Sequence, residues 1–142
     1  MNLSGERVEL LKKRSRAFLD IGRELLERGL LDLAAFNIQQ SCQLRIKASI
    51  LRLLGDFPRI HSVRELLGVL TTRLEEMSFS NEVGSLKQFV RRHRDLLADI
   101  DTIYTIARYS VFTYSINDVR EMLRVCEELD KILEEVEKSV LG

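Results

Sequence analysis

The stretch from Leu30 to Leu54, LLDLAAFNIQQSCQLRIKASILRLL, is apolar on two sides, and this constrains the fold more than any other feature. A surface helix needs a single apolar stripe at a period near 3.6 residues. Here Leu31, Ala35, Ile38, Cys42, Ile46, Ser49 and Leu53 form one stripe. Leu33, Phe36, Gln40, Leu44, Lys47 and Leu51 form a second, broken by Gln40 and Lys47. Such a segment is expected to be the central helix of a helical bundle, with one stripe on the chain's own core and the other against a second subunit.

The rest of the chain agrees with an all-α class. Proline occurs once, at Pro58, and no run of β-branched or aromatic residues follows strand spacing, so helix is the default. At 142 residues a single domain over residues 1–142 is expected, large enough to build a core without a metal or a disulfide. Basic and acidic residues balance at 22 each, so the whole molecule exerts no net pull on nucleic acid or an anionic membrane. Residues 1–59 carry 11 basic and 7 acidic groups, the remainder 11 and 15; the reading favoured for this asymmetry is a solvated face rather than complementary halves. Cys42 and Cys126 fall in apolar helical patterns without metal or redox spacing, which predicts buried free thiols. With no signal core and no run of 18 uncharged apolar residues, the expected location is cytoplasmic, away from membranes.

Boundary signals divide the pattern. A first helix from about Ser4 carries Val8, Leu11, Ser15, Phe18 or Leu19, Gly22, and Leu25 or Leu26 inward and ends at Arg28-Gly29, where Gly29 suits a left-handed residue after a last turn. Almost no linker follows, so the first two helices form an antiparallel hairpin. Gly55 to His61 is the longest break, and Ser62-Val63-Arg64-Glu65 spells a capping box for a third helix. The connection Met77 to Asn81 reads as loose and exposed. From about Glu82 the pattern resumes as one kinked helix or two, the kink lying anywhere between residues 82 and 110. Ser115 or Asn117 caps a last helix, whose Glu127, Glu128, Glu134, Glu135 and Glu137 are assigned to water. The basic run Arg91-Arg92-His93-Arg94 is read as a solvated face, because Asp95, Asp99 and Asp101 follow closely.

Familiar catalytic signatures are missing. Neither His61 nor His93 has a glutamate three residues earlier, so a carboxylate-bridged metal pair is not expected. No Gly-rich phosphate loop, nucleophile elbow or zinc-binding His-Glu-x-x-His occurs. Neither metal nor cofactor is expected.

Asp32-Leu33-Ala34-Ala35-Phe36-Asn37-Ile38-Gln39-Gln40-Ser41-Cys42, with Lys47 and Ala48 beyond it, resembles the central helix of the HEPN domain family of small helical proteins. Pro58-Arg59-Ile60-His61-Ser62-Val63 followed by Leu66 and Leu67 is similar to the family's proline, Thr-His-Asp-Leu and leucine pair. Ile106-Ala107-Arg108-Tyr109 is similar to its Ala-Arg-Tyr-Pro. Departures are Asn37 for a histidine, Gln43 and Leu44 for a Glu-Lys pair, Ile60 and Ser62 around the retained His61, and Ser110 for a proline. The resemblance implies an up-and-down bundle of about four main helices plus a short one, usually a homodimer. It also implies a prokaryotic setting beside a nucleotidyltransferase, as a toxin and antitoxin pair or a two-part nucleotide-binding unit.

Many proteins of that family are metal-independent ribonucleases with an arginine four to six residues before a histidine. Here neither His61 nor His93 has an arginine so placed. The resemblance therefore favours a non-catalytic binding module, with Lys47, His61, Arg108 and Tyr109 as candidate nucleotide-binding residues. Lys47 and Arg108 would supply phosphate cations, and His61 and Tyr109 hydrogen-bonding or stacking groups. Each has an ordinary competitor: Arg108 can pair with Asp32 or Asp101, His61 can cap the third helix, and Tyr109 can be core. The alternatives are an atypical ribonuclease using Arg108 with Tyr114 or His93, and a purely structural interaction protein. RNA as a partner has weak support, and a tyrosine is a poor base near pH 7.

Overall fold

The structure, a computed structural model, describes residues 3–106 and 114–142. They form six helices: α1 Leu3–Glu27, α2 Leu31–Leu54, α3 Val63–Glu76, α4 Ser80–Arg92, α5 Arg94–Ile106 and α6 Ile116–Leu141. The all-α expectation holds, but four main helices plus a short one does not. The pattern after Glu82 splits at His93 into two helices of 13 residues each. His93 takes φ −115° and ψ 25°, and its ring is drawn away to Glu128 of α6, with Nε2 2.7 Å from Oε2.

Each boundary has a local cause. Gly29 sits at φ 75°, and Gly29 N–H donates to Leu26 O while Leu30 N–H donates to Leu25 O, both at 3.0 Å, which closes α1 as a Schellman turn. Gly55 ends α2 in the same left-handed region, its N–H donating to Leu51 O. The connection expected to be loose is a third such turn. Ser78 has φ 66°, Phe79 N–H donates to Leu74 O, and the Phe79 side chain packs on the core. Ser115 caps α6 with a full capping box to Asp118.

α1 and α2 lie antiparallel, because residue numbers rise on one as they fall on the other across their contacts. Ser15 bonds Ser41, Gly22 meets Ile38, and Val8 packs with Ala48 and Leu51. A Cβ on Gly22 would stand 3.0 Å from Ile38 Cγ1, so its absence permits the close approach. α6 runs parallel to α2, pairing Cys126 with Ser41, Asp130 with Arg45 and Glu137 with Ser49.

α2 is central: it touches α1, α3, α5 and α6, and 14 of its 24 residues are buried. Apart from Ser49, its first stripe lies in or against the main core with Leu66, Leu70, Leu86, Phe89, Leu97 and Ile100. The second stripe is divided. Lys47 and Leu51 are covered by the chain itself, with Val8, Leu11 and Phe57 around Leu51. Phe36, Gln40 and Leu44 are half-buried, and Leu33 is 50% exposed. Among the described residues no helix is long and apolar enough to cross a membrane.

Candidate functional site

Positions 39, 43 and 47 of α2 follow one another at i,i+4 steps, so their side chains stack along one face. Gln43 Nε2 donates to Gln39 Oε1 at 3.5 Å, and Gln40 Nε2 donates to the same oxygen at 2.8 Å. Gln39 Nε2 donates to the backbone carbonyl of His61 at 3.0 Å, fastening the loop before α3 to α2. The Lys47 ammonium donates to Gln43 Oε1 at 2.9 Å, and His61 Nδ1 lies 3.0 Å from that oxygen. Lys47 and His61, 14 positions apart, are thus brought together on a single amide oxygen.

Lys47 is 7% exposed. Its ammonium lies 5.6 Å from the centroid of the Phe57 ring, within reach of a cation–π attraction. Its partners are neutral, with no carboxylate among the described residues. Burial lowers its pKa from the ordinary lysine range, since desolvation disfavours the charged form. His61, an exposed residue, stacks on Tyr104 of α5 with ring centroids 4.6 Å apart and planes 18° from parallel.

The entry to α3 fixes this stack. Ser62 Oγ accepts from Glu65 N–H at 3.2 Å, as the sequence predicts. Most of the capping, however, comes from Asp101 on α5. Its carboxylate accepts from Ser62 Oγ at 2.8 Å, from Val63 N–H at 2.6 Å and from Arg64 Nε at 2.8 Å. Asp101 lies one helical turn before Tyr104, so α5 both holds the chain just after His61 and supplies the ring beneath it. His61 therefore does not cap α3, and Asp101 is occupied by Arg64.

Of the other candidates, Arg108 and Tyr109 lie outside the described residues. His93 and Arg92 both meet Glu128. Tyr114 is half-buried; burial, then Asp99 and Asp118, push its pKa up, which makes it a still poorer base. Ten residues, about 15 Å of helix, separate Asp118 beside Tyr114 from Glu128 beside His93, so the structure sets these two apart.

A second polar cluster, on another side of α2, escaped the sequence reading. Arg45, 3% exposed, meets Asp130, Glu134 at 2.9 Å and Glu137 at 2.8 Å. Lys12 meets Glu134 and Glu137 at 2.8 and 2.9 Å, and Ser49 Oγ donates to Glu137 at 2.8 Å. Glu137 is 3% exposed rather than solvated, and the basic first half does complement the acidic second. A cleft of about 370 Å³ opens over this cluster, and another of about 580 Å³ lies at the basic turn around His93. Four of the charged residues lining the first, Lys12, Arg52, Glu134 and Glu137, already pair with one another. The signal in sequence was Asp130, Glu134 and Glu137 on one α6 face opposite Arg45, visible only once α2 and α6 are known to be parallel.

Cys42 and Cys126 are buried free thiols. Hydrogen bonding with Cys126 and burial raise the Cys42 pKa well above the usual thiol value, which leaves it unreactive. Among the described residues no group of histidine, cysteine and carboxylate side chains could hold a metal ion. The HEPN domain pattern matches residues 8–137. No curated protein matches the chain.

Proposed function

Given that the chain belongs to the HEPN domain family, we propose that it is a non-catalytic binding module whose site is the Lys47, Gln43, His61 and Tyr104 cluster, with Arg108 and Tyr109 as further candidates from the sequence. The observation that carries this reading is Lys47: a cation 7% exposed, held by a neutral amide and an aromatic ring. A desolvated charge without an opposite charge is costly, and an anionic group of a ligand would relieve that cost. The exposed His61 ring, stacked on the half-buried Tyr104 beside it, offers a flat surface suited to a nucleobase. The reading includes a homodimer through the open part of the α2 stripe around Leu33, Phe36 and Leu44, and a nucleotidyltransferase as the protein partner.

Calorimetry with adenine and guanine nucleotides tests it. Binding is expected in the wild type and a loss of at least about tenfold in Lys47→Met, the scale of one charge-assisted hydrogen bond. Binding equal in both proteins, or absent from both, overturns the site. Incubation with RNA separates the ribonuclease reading: cleavage lost in Arg108→Ala would replace the binding module with an enzyme.

A further inference from the structure

We infer that His61 is a specificity-determining acceptor: its neutral ring is locked as the Nδ1–H tautomer, and Nε2 is presented as a lone-pair acceptor that selects ligands carrying a hydroxyl or amino donor. The inference deepens the binding-site reading and, as regards the ligand, rests on it.

The argument is one of hydrogen-bond polarity. An ammonium group has donors and no acceptor, so the Gln43 atom 2.9 Å from Lys47 Nζ must be the amide oxygen. That choice turns the Gln43 NH₂ toward Gln39 Oε1. Gln39 Oε1 accepts again from Gln40, and the Gln39 NH₂ is left to donate to the His61 carbonyl. Every bond in the chain thus has one consistent direction, set by Lys47. The His61 nitrogen 3.0 Å from the same Gln43 oxygen must then be a donor. In a neutral imidazole one nitrogen donates and the other accepts, which makes Nε2 the acceptor. Stacking on Tyr104 and the Asp101 clamp on Ser62 and Val63 hold the ring in place. Nε2 has no partner among the described residues, and His61 is exposed, so this lone pair is open to a ligand.

An acceptor on a fixed ring discriminates by what it leaves unpaired. A ligand with an O–H or N–H at that point gains a bond, and an analogue without one leaves the buried-side pairing intact but Nε2 empty. The donor on a nucleotide can be a sugar hydroxyl or an amino group of the base, and the two are separable by deletion.

Nitrogen-15 spectroscopy of the histidine rings at about pH 8.5, above the ordinary imidazole range, decides the first part in the free protein. The expected spectrum has a protonated Nδ1 and an unprotonated Nε2 for His61, assigned by its loss in His61→Gln. Gln43→Leu, which removes the oxygen that selects the tautomer, should let the Nε2–H form appear. A wild-type ring protonated at Nε2, or a Gln43→Leu ring unchanged from wild type, overturns the inference without touching the binding reading. The second part uses AMP, its 2′-deoxy and 3′-deoxy analogues and the 6-deamino analogue. One of the three deletions should weaken binding about 2- to 12-fold in the wild type and leave His61→Phe unaffected. Equal binding of all four overturns selection through Nε2. If AMP and GMP both fail to bind, the functional reading falls and the ligand half of this inference with it, while the ring spectrum still decides the tautomer.

Discussion

Two polar clusters flank the central helix, and they differ in whether their charges balance. The Arg45 cluster between α1, α2 and α6 holds Lys12, Arg45 and, at 3.5 Å from Glu137, Arg52 against Asp130, Glu134 and Glu137. The Lys47 cluster between α2, α3 and α5 holds one cation against amides and rings. A closed network satisfies its members and leaves nothing for a ligand, so its effect is on register and stability. An open one keeps a desolvated cation whose partners among the described residues are neutral, beside a histidine ring that is exposed. The difference sets a closed cluster apart from an open one, and the proposed binding site is the open one, although both are built from i,i+4 positions of the same helix.

Removing one member of the closed network should have the largest effect. Arg45→Ala takes the buried guanidinium from Asp130, Glu134 and Glu137, leaving Glu137 with Lys12, Ser49 and the longer Arg52 contact, and should cost about 3 kcal/mol in urea unfolding; a cost below about 1 kcal/mol would show that the network is solvent-screened and dissolve the contrast. Asp101→Ala removes the cap that the open cluster uses as its frame and should cost about 1–2 kcal/mol. It should also weaken the ring-current shift that Tyr104 imposes on His61 in proton spectra. If the cost appears and the shift does not change, Asp101 holds α3 alone. Lys47→Met, which replaces a desolvated cation by an apolar chain of similar length, should change stability by less than about 1 kcal/mol even though ligand binding is lost.

The pH dependences provide the finest test. Burial raises the Glu134 pKa, but the Lys12 hydrogen bond and the charges of Arg45, Lys12 and Lys138 outweigh it and bring the value below the ordinary one. Its contribution to stability is present above the unfolded carboxylate pKa and is lost as pH falls through the lower folded value. Lys47 is shifted down by burial, so between its folded pKa and 10.5 the unfolded chain binds more protons. Stability should therefore rise with pH in that alkaline window, and the rise should vanish in Lys47→Met. An alkaline profile identical in the two proteins would mean that Lys47 is not desolvated.

Much of the fold could be read from residues that act locally. Gly29, Gly55, Ser62 and Ser115 mark helix ends through their own backbone or hydroxyl chemistry, and all four do so in the structure. Ser78 carried no such signal, because a non-glycine residue at φ 66° depends on Phe79 finding the core. The break at His93 was equally hidden, since the residue that draws its ring away, Glu128, is 35 positions distant. Lys47 and His61 were recognisable as candidates by resemblance, whereas Gln43, Tyr104 and Asp101 gained their roles only from contacts across the bundle.

By itself the sequence determined the all-α class, the two-sided central helix and most of its partners' boundaries, because period, caps and composition are properties of neighbouring residues; the family was legible through the resemblance of its motifs. The tertiary structure decided which polar groups on α2 face each other's opposites and which face an amide. Arg45 and Lys47 stand two positions apart and are both buried, yet successive side chains 100° apart around a helix meet different neighbours. Parallel packing with α6 gives Arg45 three carboxylates, and the α3 loop gives Lys47 a glutamine oxygen shared with a histidine.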